Sequence, residues 1–165
     1  MTEIERLSHE MRRGYDGDAW HGPPLRDLLA GVSAAQAAAH PVPGAHSIWE
    51  LVLHVAAWKS EVCRRLKGSE PGSPLEGDWP PVGETTEAAW AEARRTLGDA
   101  HEGLERALRA LSAAELETPV GEQRDRITGA GLTRYTTALG ILQHDAYHGG
   151  QIALLKRALA AADER

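Results

Sequence analysis

The sequence feature that most constrains the fold is a helical repeat between Ile141 and Leu159. Apolar side chains recur there at steps of three and four residues, and two histidines occupy positions of the same series. This spacing predicts an amphipathic helix whose apolar face is buried and carries both imidazoles one turn apart. Histidines four residues apart on a helix can chelate a metal ion. The predicted inward residues are Ile141, His144, His148, Ile152, Leu155 and Leu159.

Burial of two imidazoles in adjacent turns creates a strong demand for partners. Each ring nitrogen needs a donor or an acceptor, and one shared cation meets much of this demand at once. The alternative is that each histidine is a core residue bonded to a carbonyl or a carboxylate. Because both lie on one apolar stripe, we favour a metal, which requires a third ligand from another part of the chain.

Other segments share the helical periodicity, and the strongest begins with the capping box Ser47-Ile-Trp-Glu50. Similar boxes at Ser33 and Ser112 each open a short turn. An alternating strand pattern is not found, so we predict an all-α, antiparallel four-helix bundle in a single domain, residues 1–165. The predicted long helices cover residues 2–13, 47–67, 85–111 and 133 onward, with a shorter helix at 25–30.

Two connections are rich in proline, glycine or polar residues. Residues 68–83 predict a long crossover loop, and loops of that length often cover a pocket or move. Trp79 within it is expected to close one end of the core. Residues 121–131 are polar and broken by glycines, and we predict a second loop there.

Two histidines compete for the role of third ligand. His54 lies three residues after Leu51 and four before Trp58, so it faces the interior of its helix. His101 has a comparable position on the third long helix, near Leu97 and Leu104. Spacing alone leaves this choice open.

Composition excludes several classes of partner. The formal net charge is -6, and the basic residues are scattered among acids, so we exclude nucleic acid as the partner. No apolar run approaches the ~20 residues that cross a bilayer, which argues against a membrane partner. Cys63 is the single cysteine, which fits a reducing compartment, and we expect a soluble, cytoplasmic protein.

Three segments together resemble the DinB/YfiT-like superfamily of metalloenzymes over nearly the whole chain. They are His-Ser-Ile-Trp-Glu-Leu-Val-Leu-His-Val-Ala-Ala-Trp at 46–58, Asp-Trp-Pro at 78–80, and His-Asp-Ala-Tyr-His-Gly-Gly-Gln-Ile at 144–152. The resemblance implies a four-helix bundle, often a homodimer, that holds a divalent cation with one histidine of the second helix and two of the last. It selects His54, His144 and His148 as ligands and assigns His101 to packing or the surface.

Three imidazoles leave an open position on a divalent ion, which is typical of catalytic sites. We expect zinc or nickel, and iron, manganese and copper are the alternatives. The resemblance implies a thiol-dependent S-transferase that uses a low-molecular-weight thiol such as mycothiol or bacillithiol and a small-molecule substrate. The alternatives are a metal-dependent hydrolase of amides or esters, and a non-catalytic metal-binding module of the stress response.

Residues near the predicted ligands are candidates for accessory roles. Glu50 lies one turn before His54 and either orients its ring and accepts a proton or serves only the Ser47 cap. Trp58, Tyr147 and Gln151 are candidates for the substrate pocket, although packing explains them equally well. Two further expectations concern the last helix: Asp145 is exposed to solvent, and a neighbouring helix or ligand closely approaches its glycines, Gly140, Gly149 and Gly150.

Overall fold

The computed structural model describes residues 1–124 and 131–163. Within these residues the chain is mostly helical, which confirms the predicted all-α class. Four of the helices are long and form the bundle, and none of the described helices combines the length and apolar character that a membrane crossing requires. The elements in chain order are α1 (Glu3–Asp16), α2 (Leu25–Leu29), α3 (Ala34–Ala38), α4 (Ile48–Leu66), α5 (Glu87–Arg109), α6 (Ala113–Leu116), β1 (Pro119–Arg124), β2 (Gly131–Thr133) and α7 (Arg134–Asp163).

The long helices α1, α4, α5 and α7 pack in a ring. Helix α4 lies between α5 and α7, and α1 contacts the other sides of the same two helices. The end of α4 meets the start of α7, where the Arg134 side chain donates to the Leu66 carbonyl, so these helices run in opposite directions. Helices α4 and α5 run in the same direction, which the long connection between them allows.

Local signals explain where the helices begin. Ser33, Ser47 and Ser112 each accept a hydrogen bond from the backbone three residues later, and the side chain at that later position bonds back to the serine N–H. All three predicted capping boxes are therefore confirmed, and each satisfies two N–H groups that a helix otherwise leaves unpaired.

The apolar core consists of two clusters along the bundle axis. The first surrounds Trp49 and Trp90, and the second surrounds Leu66 and Leu104. The predicted inward stripes of α4 and α7 supply much of both clusters. Along α7 the polar residues His144, Asp145 and His148 lie between the residues of the two clusters, and His54 of α4 faces them.

The region after α6 contains a short hairpin that the predicted all-α bundle did not include. Strand β1 pairs antiparallel with β2, with Pro119 opposite Thr133. Such short strands are held by backbone hydrogen bonds and give no alternating apolar signal in the sequence. Residues 125–130 of the predicted second loop lie outside the described residues.

Gly121 has a φ of +61° and abuts Pro71, so this hairpin packs closely on the crossover segment.

Candidate metal centre

His54 is held in the buried face of α4. Leu51 and Val55 on either side of it belong to the core, and the Ser47 cap fixes the start of the helix. Because this face packs against α7, the imidazole lies between two helices and is almost completely removed from solvent.

His144 and His148 project from α7 towards His54. The centroid of the His54 ring lies 4.9 Å from that of His144 and 4.7 Å from that of His148. One nitrogen from each of the three rings lies within 4.8 Å of the other two. Tetrahedral zinc separates its nitrogen ligands by about 3.3 Å, so small rotations of the side chains suffice to bind it. The three histidines therefore form a cluster that can hold a metal ion.

Hydrogen bonds fix the tautomers of two of these histidines. The His54 Nδ1–H donates to the carbonyl oxygen of Asp78 at 2.6 Å, and the His148 Nδ1–H donates to Gln151 Oε1 at 2.7 Å. Both acceptors are carbonyl oxygens, so the proton of each neutral imidazole resides on Nδ1. The Nε2 atoms then present lone pairs, which is the arrangement that metal-binding histidines require.

Within the cluster, His144 has a buried ring nitrogen that lacks a partner among the described residues. Its Nε2 lies 3.0 Å from the Nε2 of His54, while its Nδ1 is buried without a hydrogen-bond partner in the part of the chain that the structure describes. Only one proton fits between two imidazole nitrogens at that distance. A cation that accepts a lone pair from each ring resolves this contact, so the donor set fits a divalent metal.

The electrostatic environment keeps the rings of His144 and His148 neutral. Burial lowers the pKa of His144 to about 4, and the nearby His148, His54 and Lys59 act in the same direction. Burial also lowers the pKa of His148, although its bond to Gln151 opposes the change. Neutral imidazoles are the form that binds metals, so at pH 7 these two residues do not need to lose a proton first.

The crossover segment between α4 and α5 covers the cluster. Trp79 stacks on the His54 ring with 3.9 Å between centroids, and its indole also stacks on His46 at 3.5 Å. Asp78 Oδ1 accepts a hydrogen bond from Trp58 Nε1 at 2.7 Å. Trp79 was expected to close the core, and it lies instead against the ring of a candidate ligand.

Comparison with known proteins identifies the family. The family model of the DinB superfamily matches residues 20–152, a range that contains all three histidines.

This chain belongs to the DinB superfamily.

A solved structure shares the fold of this DinB protein. The chain superposes on a protein from Enterococcus faecalis, described as a conserved protein, with a TM-score of 0.71 and 16% sequence identity. The match covers 98% of this chain and 99% of that one, and at this identity it shows the fold alone. No curated protein matches the sequence significantly.

The residues predicted to have accessory roles near the ligands lie at different distances from the cluster. Gln151 contacts the cluster through its hydrogen bond with His148. The Tyr147 ring packs edge-on against the same histidine, and Tyr147 is 66% exposed. Trp58 lies with its ring centroid 6.4 Å from that of His54. Glu50 accepts from the Ser47 N–H at 2.7 Å and contacts His40 Nε2 at 3.1 Å. Its predicted capping role is confirmed, and its observed partners are not metal ligands.

His101 lies apart from the cluster of three histidines. Its ring stacks on Tyr15 with centroids 3.9 Å apart, and it is buried at the contact between α1 and α5. The resemblance therefore separated the two candidate histidines that spacing had left equal.

An apolar cavity borders the cluster. Its volume is about 350 Å³, and its walls include Val42, Leu51 and Leu155. Gln151 and His46 supply polar groups to the same walls. Because Gln151 also bonds to His148, its side chain connects the cavity with the candidate metal ligands.

Sequence reasoning missed two features of this site. The carbonyl of Asp78 orients His54, but a backbone acceptor leaves no mark on residue identity. The expected exposure of Asp145 was wrong, because Asp145 is buried and forms an ion pair with Lys59 of α4. Helix α7 packs against both α4 and α1, so its buried arc is wider than one stripe.

Proposed function

We propose that this protein binds a divalent cation through His54, His144 and His148 and transfers a small electrophile to a low-molecular-weight thiol. The observation that carries the proposal is the convergence of three imidazoles, two of which have their Nδ1 atoms committed to carbonyl oxygens. The proposed ion is zinc or nickel, since imidazole is a preferred ligand for both.

A divalent ion with an open position lowers the pKa of a thiol or a water molecule that it binds. The protein supplies the surroundings: Trp79 and Trp58 shield the rings of His54 and His144 from water. In the proposed transfer, the thiol sulfur forms a bond to the electrophilic carbon and the leaving group departs with its bonding electrons. The thiol proton passes to solvent.

Thiol transfer is favoured over hydrolysis because the two carboxylates nearest the cluster are engaged in other contacts. Water is a much weaker acid than a thiol, so its activation benefits more from an adjacent general base. Asp78 Oδ1 is already bonded to Trp58 Nε1, and Asp145 is paired with Lys59. Hydrolysis of an amide or ester is therefore the second candidate, supported by the ligand set alone.

The cavity beside Gln151 indicates the class of electrophile. Its apolar walls match the body of a small, uncharged molecule, and the amide of Gln151 can orient a polar group of that molecule. We assign the electrophile to this cavity.

Metal content provides the first test. Untagged wild-type protein, purified without chelator and incubated with zinc or nickel, is expected to hold about one ion per chain by elemental mass spectrometry. His148→Ala and His54→Ala should lose the ion because each removes one of three ligands. His9→Ala, which changes an exposed histidine of α1, is the matched control. Wild-type protein that takes up neither ion would overturn the proposal.

Activity is tested with the loaded protein. Mycothiol or bacillithiol is mixed with a small alkylating electrophile, and thioether formation is measured by mass spectrometry beside hydrolysis of p-nitrophenyl acetate. Thioether formation that depends on His148 supports transfer. Ester hydrolysis without thioether formation would assign the second candidate function.

We also propose that two copies associate through the exposed face of α7. Leu154 is 61% exposed and lies seven residues from Tyr147, so the two apolar side chains share one face. Gly140 and Gly150 adjoin this face, and a Cβ at either position would meet nothing within 4 Å in the described residues. The expected close approach to the glycines is limited to Gly149, which contacts Leu28 of the same chain. A second copy can cover the other two.

A further inference from the structure

A polar layer crosses the bundle with one residue from each long helix. Tyr15 belongs to α1, Lys59 to α4, His101 to α5 and Asp145 to α7, and all four are buried. Lys59, His101 and Asp145 lie between the buried residues of the two apolar clusters on their helices, and Tyr15 borders them as a member of the first cluster.

The contacts within this layer are specific. The Lys59 ammonium donates to Asp145 Oδ2 and lies 5.8 Å from the centroid of the Tyr15 ring, which stacks in turn on His101. The Lys59 side chain is 0% exposed. Asp145 Oδ1 is also buried and has no hydrogen-bond partner in the described ranges. A charged pair thus occupies a buried position that apolar side chains could fill.

Stability does not explain this pair. Removing two charges from water costs several kcal/mol per ion, and apolar residues of similar volume are often at least as stabilising in the same place. A buried ion pair does, however, fix the relative position of its helices, because a slide that parts the two groups leaves both charges unpaired in the core. Burial of apolar surface is non-directional and leaves no unpaired charge after such a slide.

The pair lies beside the candidate ligands on both helices. Asp145 follows His144 directly in α7, and Lys59 follows His54 by five residues in α4. A slide of one helix past the other by one turn, about 5.4 Å, would break the ion pair and the 3.0 Å contact between His54 and His144 together.

We infer that the Lys59–Asp145 pair positions α4 against α7 so that His54 meets His144 and His148 around one cation. This inference rests on the metal binding proposed above. Neither residue coordinates the ion, and both are positioning residues that act through the register of the two helices.

The test replaces the pair by apolar residues. The double variant Lys59→Met with Asp145→Leu leaves no unpaired buried charge, so its melting temperature should equal or exceed that of the wild type. Its zinc affinity, measured by competition with a chromophoric chelator, should fall about 10- to 100-fold. The visible spectrum of the cobalt(II) form should change, since it reports ligand geometry.

The matched control changes a polar contact between two other helices. Ser8 is buried on α1 and bonds to Glu105 and Arg109 of α5, neither of which lies on a ligand-bearing helix. Ser8→Ala should keep the zinc affinity and the cobalt spectrum of the wild type. If the double variant does not fold, Asp145→Glu retains the charge and moves it by one methylene, and it should lower the affinity severalfold.

The outcomes separate this inference from the proposed function. Wild-type protein without zinc affinity would overturn both. Wild-type binding together with unchanged affinity and spectrum in the folded double variant, or unchanged affinity in Asp145→Glu, would overturn the positioning role alone.

Discussion

At the scale of single residues, burial decides the chemistry of the histidines. His101 is 4% exposed, and burial, assisted by the charge of Lys59, lowers its pKa to about 3. In the unfolded chain an ordinary histidine titrates near 6.5. Below that pH the unfolded state binds a proton that the folded state rejects, so the contribution of His101 to stability is present above 6.5 and is lost as the pH falls towards 3.

His101→Phe should therefore make the protein less sensitive to acid. Phenylalanine keeps a ring stacked on Tyr15 but does not titrate. Between pH 6.5 and 5, the wild type should lose up to about 1.4 kcal/mol per pH unit more than the variant. Urea unfolding at pH 7 and pH 5, with chelator present, measures the two losses. Equal losses in both proteins would contradict the prediction.

The residue scale also shows which parts of the site the sequence could predict. His144 and His148 were accessible because helical spacing determines which side chains share a face. His54 needed the family resemblance, since His101 had an equivalent local pattern. The burial of Asp145 was missed because Lys59, its partner, lies 86 residues earlier, and no local pattern connects them.

At the scale of elements, the crossover segment is held at several points. The Gly72 N–H donates to the buried Glu61 carboxylate at 3.0 Å, and Arg65 donates to the Gly72 carbonyl at 2.6 Å. Further along, Asp78 bonds to His54 and Trp58. These anchors keep Trp79 in place above the His54 ring.

Trp79→Ala should weaken metal binding without unfolding the bundle. The stacked indole restricts rotation of His54, and aromatic stacking contributes about 0.5–1.5 kcal/mol, which corresponds to a roughly 2- to 10-fold loss of zinc affinity. Trp20→Ala is the matched control because that indole is 93% exposed. Competition titration with a chelator measures both variants, and equal affinities would exclude a role for the stack.

Elements with strong local signals were predictable, and the others were not. Capping boxes fixed the starts of α3, α4 and α6 because they depend on residues within one turn. The β1–β2 hairpin depends on backbone pairing, with a close contact between Gly121 and Pro71. That contact joins segments 50 residues apart, and sequence periodicity carries no information about it.

At the scale of the whole molecule, the exposed apolar face of α7 predicts association of two copies. Leu154→Arg should convert a dimer of twice 17.8 kDa into a monomer, because it places a charge in the proposed interface. Light scattering coupled to size-exclusion chromatography measures the mass. Leu75→Arg, on the crossover segment, is the control and should leave the mass unchanged. A monomeric wild type would contradict the proposed dimer.

The fold class followed from the number and length of the periodic segments, whereas the way the helices surround the site did not. Periodicity shows that α4 and α7 each have a buried face, but it does not show that these faces meet. The order of helices around the bundle follows from tertiary packing and from the long connection that returns the chain before α5.

The distance along the chain between the ligands has a consequence for biosynthesis. His54 and His144 lie 90 residues apart, and α5 is made between them. A ribosome releases the chain from its N-terminus, so the nascent protein has a single member of the cluster until α7 emerges. A cation held by all three proposed ligands would therefore be acquired only after translation of α7, from the ions available to the finished protein.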